Sequence, residues 1–156
     1  MIARKKQQGV ALIEFALSFT VFWIFFMGLI EISRAMFAWN SAQEATRLAA
    51  RLASICDNTS NQRTAITKKV KYFVNVAGNI DTSSNPNWLI FSYEPTGCFD
   101  NCNMVSAKTS GLKVNLTIPF KNLQFTLPEF RTLVLRESMA NVIQYNGKVE
   151  TNAICN

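Results

Sequence analysis

Apolar residues crowd the first third of the chain, whereas later segments alternate apolar and polar positions. From Phe15 to Ile30 sixteen consecutive residues carry no charge, and Glu14 and Glu31 bracket them. Seventeen helical steps at ~1.5 Å each make that interval roughly 26 Å long, close to the ~30 Å hydrocarbon thickness of a bilayer. Extension to Val10 and Ile32 gives 23 residues, enough to span. Phe15, Phe19, Phe22, Trp23, Phe25 and Phe26 fall around the whole circumference of such a helix. A core helix of a small domain keeps its apolar residues on one side, so this distribution predicts a membrane-spanning helix over 10–33.

Helical periodicity continues past the span, over 34–56. Ala35, Ala38, Ala42, Ala45, Ala49 and Leu52 recur at steps of three and four, a small-residue seam that either packs on the chain's own domain or receives a neighbouring subunit's helix. Arg34, Arg47 and Arg51 lie off the seam, with Glu44 one turn from Arg47. Asp57-Asn58-Thr59-Ser60-Asn61 supplies turn formers that end the helix near Cys56. A second helix is expected over Thr64–Ala77, with Ile66, Val70, Phe73, Val74 and Ala77 on one face and Gly78 as its stop. After a polar loop over Asp81–Asn87, Trp88–Glu94 reads as a strand. Leu112, Val114, Leu116, Ile118 and Phe120 alternate with polar partners as another, with Pro119 restricted to an edge, bulge or strand end. The stretch Thr132–Gln144 reads as a last strand, although Leu133–Ile143 also fits a helix. The expected class is α+β, with a long N-terminal transmembrane, pilin-like helix, a short second helix and a small antiparallel sheet of three or four strands. Residues 57–156 form the extramembrane α+β domain.

Composition narrows the chemistry. The 156 residues include no histidine, which excludes Ser/His/Asp and Cys/His catalysis and histidine metal sites. Net charge is +6, but Arg4, Lys5 and Lys6 supply half of it ahead of the apolar stretch, so the basic balance describes a leader more than a surface. That leading trio favours a cytoplasmic N-terminus. Lys68, Lys69 and Lys71 read as a solvated helix face, not a nucleic-acid contact. No phosphate loop follows a strand, and the carboxylates beyond the span show no ligand spacing, so neither a catalytic residue nor a cofactor or metal site is expected. Four cysteines, Cys56, Cys98, Cys102 and Cys155, all lie beyond the span, as suits an oxidising compartment. Three pairings exist. In one, Cys98 and Cys102 close a small ring within their loop, and Cys56 tethers the first helix to the C-terminal segment through Cys155. A Cys₄ zinc site is the rival, although only one close pair of cysteines is present.

A charge at the mouth of the span needs a reason, because an unpaired carboxylate costs ~2.5–3.5 kcal/mol at mid-membrane on insertion scales. Gly9 precedes Val10-Ala11-Leu12-Ile13-Glu14-Phe15. Cleavage after Gly9 would place a new amine on Val10 one helical turn from Glu14, and the two opposite charges could pair within a chain or between neighbours. The basic leader, Gly9, Glu14 five places on, Phe15 and the apolar helix together resemble a type IV prepilin signal. Glu14-Phe15-Ala16-Leu17, then Gly28-Leu29-Ile30-Glu31-Ile32-Ser33-Arg34, then Ala45-Thr46-Arg47-Leu48-Ala49-Ala50-Arg51 narrow the resemblance to the TadE-like family of the tight-adherence (Flp, type IVc) pilus system. The chain departs from that pattern at Ser33, where glycine is usual, at Leu48-Ala49, where Glu-Gly is usual, and in having no proline in the first half of the span.

The resemblance implies a non-enzymatic minor pilin, or pseudopilin, acting in pilus assembly or initiation for surface adhesion. It implies a leader over 1–9, processing at Gly9 with Val10, Glu14 and Phe15 as the recognised residues, and subunit assembly through Val10, Glu14, Glu31 and Arg34. The implied partners are a prepilin peptidase, the other minor pilins and the major pilin of the same pilus, the inner-membrane assembly platform and membrane lipid. It further implies residence in a bacterial inner membrane with the domain periplasmic, and later in the extracellular pilus. The competing reading is a membrane-anchored binding or redox module, with Cys98 and Cys102 as a reactive pair, that is never processed or assembled.

Overall fold

A computed structural model describes residues 4–76, 80–83, 85–98, 101–118, 121–137 and 142–155. Helix α1 is unbroken over Arg4–Ile55, 52 residues, or roughly 78 Å at ~1.5 Å per residue. Its lower half is bare: Phe15–Phe19 and Phe19–Trp23 stack with ring centroids 6.0 and 6.2 Å apart along one side, and Phe22–Phe26 along another. Hydroxyls in and beside the apolar stretch find partners inside the helix, since Thr20 Oγ1 donates to the Ala16 carbonyl and Ser33 Oγ to the Leu29 carbonyl. Such internal bonds keep polar atoms satisfied where no water is available.

The upper half of α1 is the spine of the domain. Ala38, Ala42, Ala45, Ala49 and Ala53 are buried, so the alanine seam packs on the chain's own domain. Small side chains let the sheet and the second helix approach the backbone closely. Arg47 meets Glu44 at 3.5 Å on the opposite, exposed face. The helix closes with the Cys56 N–H donating to the Leu52 carbonyl. Helix α2, Ser60–Val76, begins four residues earlier than its apolar periodicity predicts, because Thr59 Oγ1 accepts from the Gln62 N–H as an N-cap. Ile66, Val70 and Val74 are buried as expected, whereas Phe73 is half exposed; the Ala77 and Gly78 stop lies outside the described residues.

Among the described residues eight strands follow: β1 Ile80–Asp81, β2 Leu89–Glu94, β3 Met104–Thr109, β4 Lys113–Ile118, β5 Lys121–Thr126, β6 Arg131–Leu135, β7 Val142–Tyr145 and β8 Lys148–Thr151. They form three antiparallel sheets, β1-β4-β5, β2-β3-β6 and the hairpin β7-β8, where one sheet is expected. The α+β class holds, with sheets β1-β4-β5 and β2-β3-β6 seated separately on α1. Sheet β2-β3-β6 lies along the upper helix. Thr46 and Thr132 hydroxyls meet at 2.9 Å, Trp39 packs edge-on against Phe130 at 5.4 Å, and the Glu137 N–H donates to the Ser54 carbonyl. Its central strand β3 is covered on both faces, with Val105, Ser106 and Ala107 all buried. The Thr132–Gln144 stretch contains two strands, β6 and β7, and no helix is described there; Pro119 and Phe120 lie outside the described residues.

Two disulfides, Cys56–Cys155 and Cys98–Cys102, take up all four cysteines. No thiolate is left for a Cys₄ zinc site. Lys69 Nζ, part of the basic cluster, donates to the Ile154 carbonyl at 2.7 Å and helps hold the C-terminal segment on α2. Asn152 Oδ1 accepts from the Ile154 N–H and turns that segment toward Cys56.

Tyr93, a buried residue of β2, has its phenol pushed up to about 12 by burial, with Arg63 pulling the other way. The neutral form is therefore the one that the fold favours. Its contribution is complete below the ordinary value of 10 and fades as pH climbs toward about 12. Comparing urea midpoints of the parent and Tyr93→Phe chains across this interval should reveal an additional loss in the parent on the order of 2 kcal/mol. Parallel curves would remove Tyr93 as the cause.

Candidate functional site

The residues singled out at the N-terminus occupy one exposed helical stretch. Gly9 lies within α1 with open space around the position a side chain would take. Val10 and Phe15 are 66% and 69% exposed, and Glu14 stands one turn above Val10 on the same bare rod. Nothing in the domain shields this stretch, so a peptidase, a lipid or another helix can reach it. Helix α1 alone positions it, and the chemistry on offer is a hydrolysable Gly9–Val10 bond and a carboxylate that can accept a cation.

Glu31 and Arg34 occupy a different environment, at the far end of the charge-free interval. Glu31 Oε1 accepts from an Arg34 guanidinium N–H at 2.7 Å, and Oε2 accepts from the Thr117 backbone N–H at 3.3 Å. The Glu31 side chain is 15% exposed, so both carboxylate oxygens are engaged in a partly desolvated setting. The pair therefore seats β4 on α1, at the level where the apolar stretch ends. This seat was not legible in the sequence, because its third member is a backbone amide 86 residues away. The structure does not bring Glu31 and Arg34 near Glu14; about 26 Å of helix separates the two carboxylates.

The disulfides lie at the other end of the domain. Cys56, Cys102 and Cys155 are buried almost completely and Cys98 is 8% exposed, an inert placement instead of the open, electropositive setting of a reactive pair. Among the described residues, no group of three or more Cys, Asp or Glu side chains is arranged to hold a metal ion.

Among the described residues one helix is long and apolar enough to cross a membrane, over the Gly9–Ile55 part of α1, and its apolar window is wholly unburied. No curated protein matches the chain. No solved structure matches it either. A family model does: the one described as TadE-like protein matches residues 9–51, beginning on Gly9 and ending on Arg51 inside the last turns of α1. Over this segment, which covers the apolar stretch and most of the alanine seam, the chain is similar to the TadE-like family.

Proposed function

We propose that this chain is a minor pilin, or pseudopilin, of a tight-adherence pilus. It enters the membrane as a single-pass prepilin, N-terminus in the cytoplasm, and a prepilin peptidase cuts after Gly9. The observation that carries the reading is the TadE-like match beginning on Gly9, in register with an exposed apolar helix whose first carboxylate is Glu14. The TadE-like match supports a place in the pilus system, and the sizeable domain beyond it supports a minor-pilin role. The aromatic flanks of residues 15–30 exchange lipid for the apolar flanks of other pilin helices. Glu14 accepts the amine of a neighbouring subunit's Val10, which fixes the axial offset between subunits. The domain works as a folded cap facing the periplasm, and the protein catalyses nothing. Its burial of both disulfides supports this structural role over a redox role.

Intact mass of the full chain, co-expressed with its prepilin peptidase, tests the reading. The expected product begins at Val10, and Gly9→Leu stays at precursor mass. Glu14→Ala should still be cut yet fail to join other pilins. A wild-type product that retains residues 1–9 would overturn the proposal, and normal assembly of Glu14→Ala would remove the pairing.

A further inference from the structure

Between α1 and the sheet β1-β4-β5 runs an apolar groove of about 520 Å³, within the ~300–1,000 Å³ of typical ligand sites. Ile24, Gly28 and Ala35 form its helix wall, and Val114, Leu116 and Phe125 its sheet wall. Among the described residues Glu31 is the one charged member of the lining, and both its oxygens are already engaged. The position of the groove along α1 decides what fills it. Its lower end, at Ile24, lies six residues below Ile30, about 9 Å inside the charge-free stretch, and its upper end at Trp39 lies nine residues beyond, about 13 Å outside. A bilayer that takes up Phe15–Ile30 therefore places lipid tails directly against the groove's lower half, so the groove continues the lipid-facing surface of the helix. Arg34, bonded to the lining residue Glu31, is 46% exposed and gives one N–H to that carboxylate while retaining the planar fork that suits a phosphate. Trp39 closes the upper end, packed edge-on against Phe130.

We infer that the groove holds an acyl chain of a phospholipid from the leaflet on the domain's side, with Arg34 meeting the headgroup phosphate. This rests on the reading that α1 crosses a membrane. The bound lipid fills the space between span and sheet, and the domain stands on the bilayer at a fixed height.

Tryptophan emission tests it in the full chain, reconstituted into phosphatidylethanolamine and phosphatidylglycerol vesicles whose acyl chains are brominated near the carbonyl or left plain. Trp88, in the domain core, is a common background. In Trp39→Phe the remaining Trp23 reports insertion of the span; in Trp23→Phe the remaining Trp39 reports the groove. Both should lose emission in brominated vesicles. Adding Gly28→Leu to the Trp23→Phe chain should restore Trp39 emission, because a Cβ at this lining position meets open space and the rest of the side chain takes up groove volume. Quenching of Trp23 with Trp39 unaffected would overturn the lipid site and leave the span standing. Quenching of neither would remove the span and the lipid site together. Quenching of Trp39 that Gly28→Leu leaves unchanged would mean simple immersion. Quenching that fades as protein density in the vesicles rises would assign the groove to a second copy of the chain. Each of these two results overturns the proposal.

Discussion

Replacing Cys56 and Cys155 together by alanine should destabilise the domain by about 4.7 kcal/mol, against about 2 kcal/mol for the same change at Cys98 and Cys102, in the chain-entropy relation. The difference lies in the connected lengths: the first bond joins residues 99 apart and the second residues only 4 apart. The long bond also has a local task. Strands β7 and β8 pair with each other as a separate two-stranded sheet, and an isolated hairpin is marginal in water. The Cys56–Cys155 bond and the Lys69–Ile154 contact fasten the following segment to the helices. Urea unfolding of the full chain in detergent micelles, followed by tryptophan emission, measures both losses. Equal losses at the two pairs, or a larger loss at Cys98–Cys102, would contradict the argument.

Trp88→Ala should cost about 3–5 kcal/mol, the range for truncating a large buried aromatic. Trp88 is the largest fully buried side chain in the domain. Its backbone is pinned as well: its N–H donates to the Asn85 carbonyl and its carbonyl accepts from the Ser110 N–H at 2.8 Å. Neighbouring groups are therefore held in place and cannot collapse into the space left behind. Trp88→Phe should lose clearly less, since most of the ring volume remains. The same unfolding measurement applies, and a loss below about 1 kcal/mol for alanine would mean that the core relaxes freely around this site.

The long apolar helix, its continuation and the strands starting near Trp88 and Leu112 were legible, because they rest on a charge-free run, a helical period, an aromatic and β-branched cluster and a strict alternation respectively. Strand β3 was not. Met104-Val105-Ser106-Ala107-Lys108-Thr109 lacks the alternation of a half-buried strand, since both faces of its middle are covered. Strand β5 alternates correctly, but Leu123 and Phe125 are each nearly half exposed, and a single continuous strand through Phe120 obscured the hairpin. The β7–β8 hairpin had a readable mark: Asn146-Gly147 takes positive φ values of 50° and 74°, the requirement of a tight hairpin turn. Thr59 and Gln62 likewise announce the true start of α2, because a hydroxyl followed three places later by an amide is a capping signature. For the candidate site, Gly9 and Glu14 stand out from sequence alone. The seat of β4 on Glu31 could not, since long-range backbone partners leave no local pattern.

No proline interrupts α1 between its exposed lower end and the buried Ala53, and the domain is clasped directly to its upper half. The helix is thus a shaft without a joint. Each residue's length by which a machine hauls it axially raises the cap by about 1.5 Å, and any torque applied at the foot turns the cap with it.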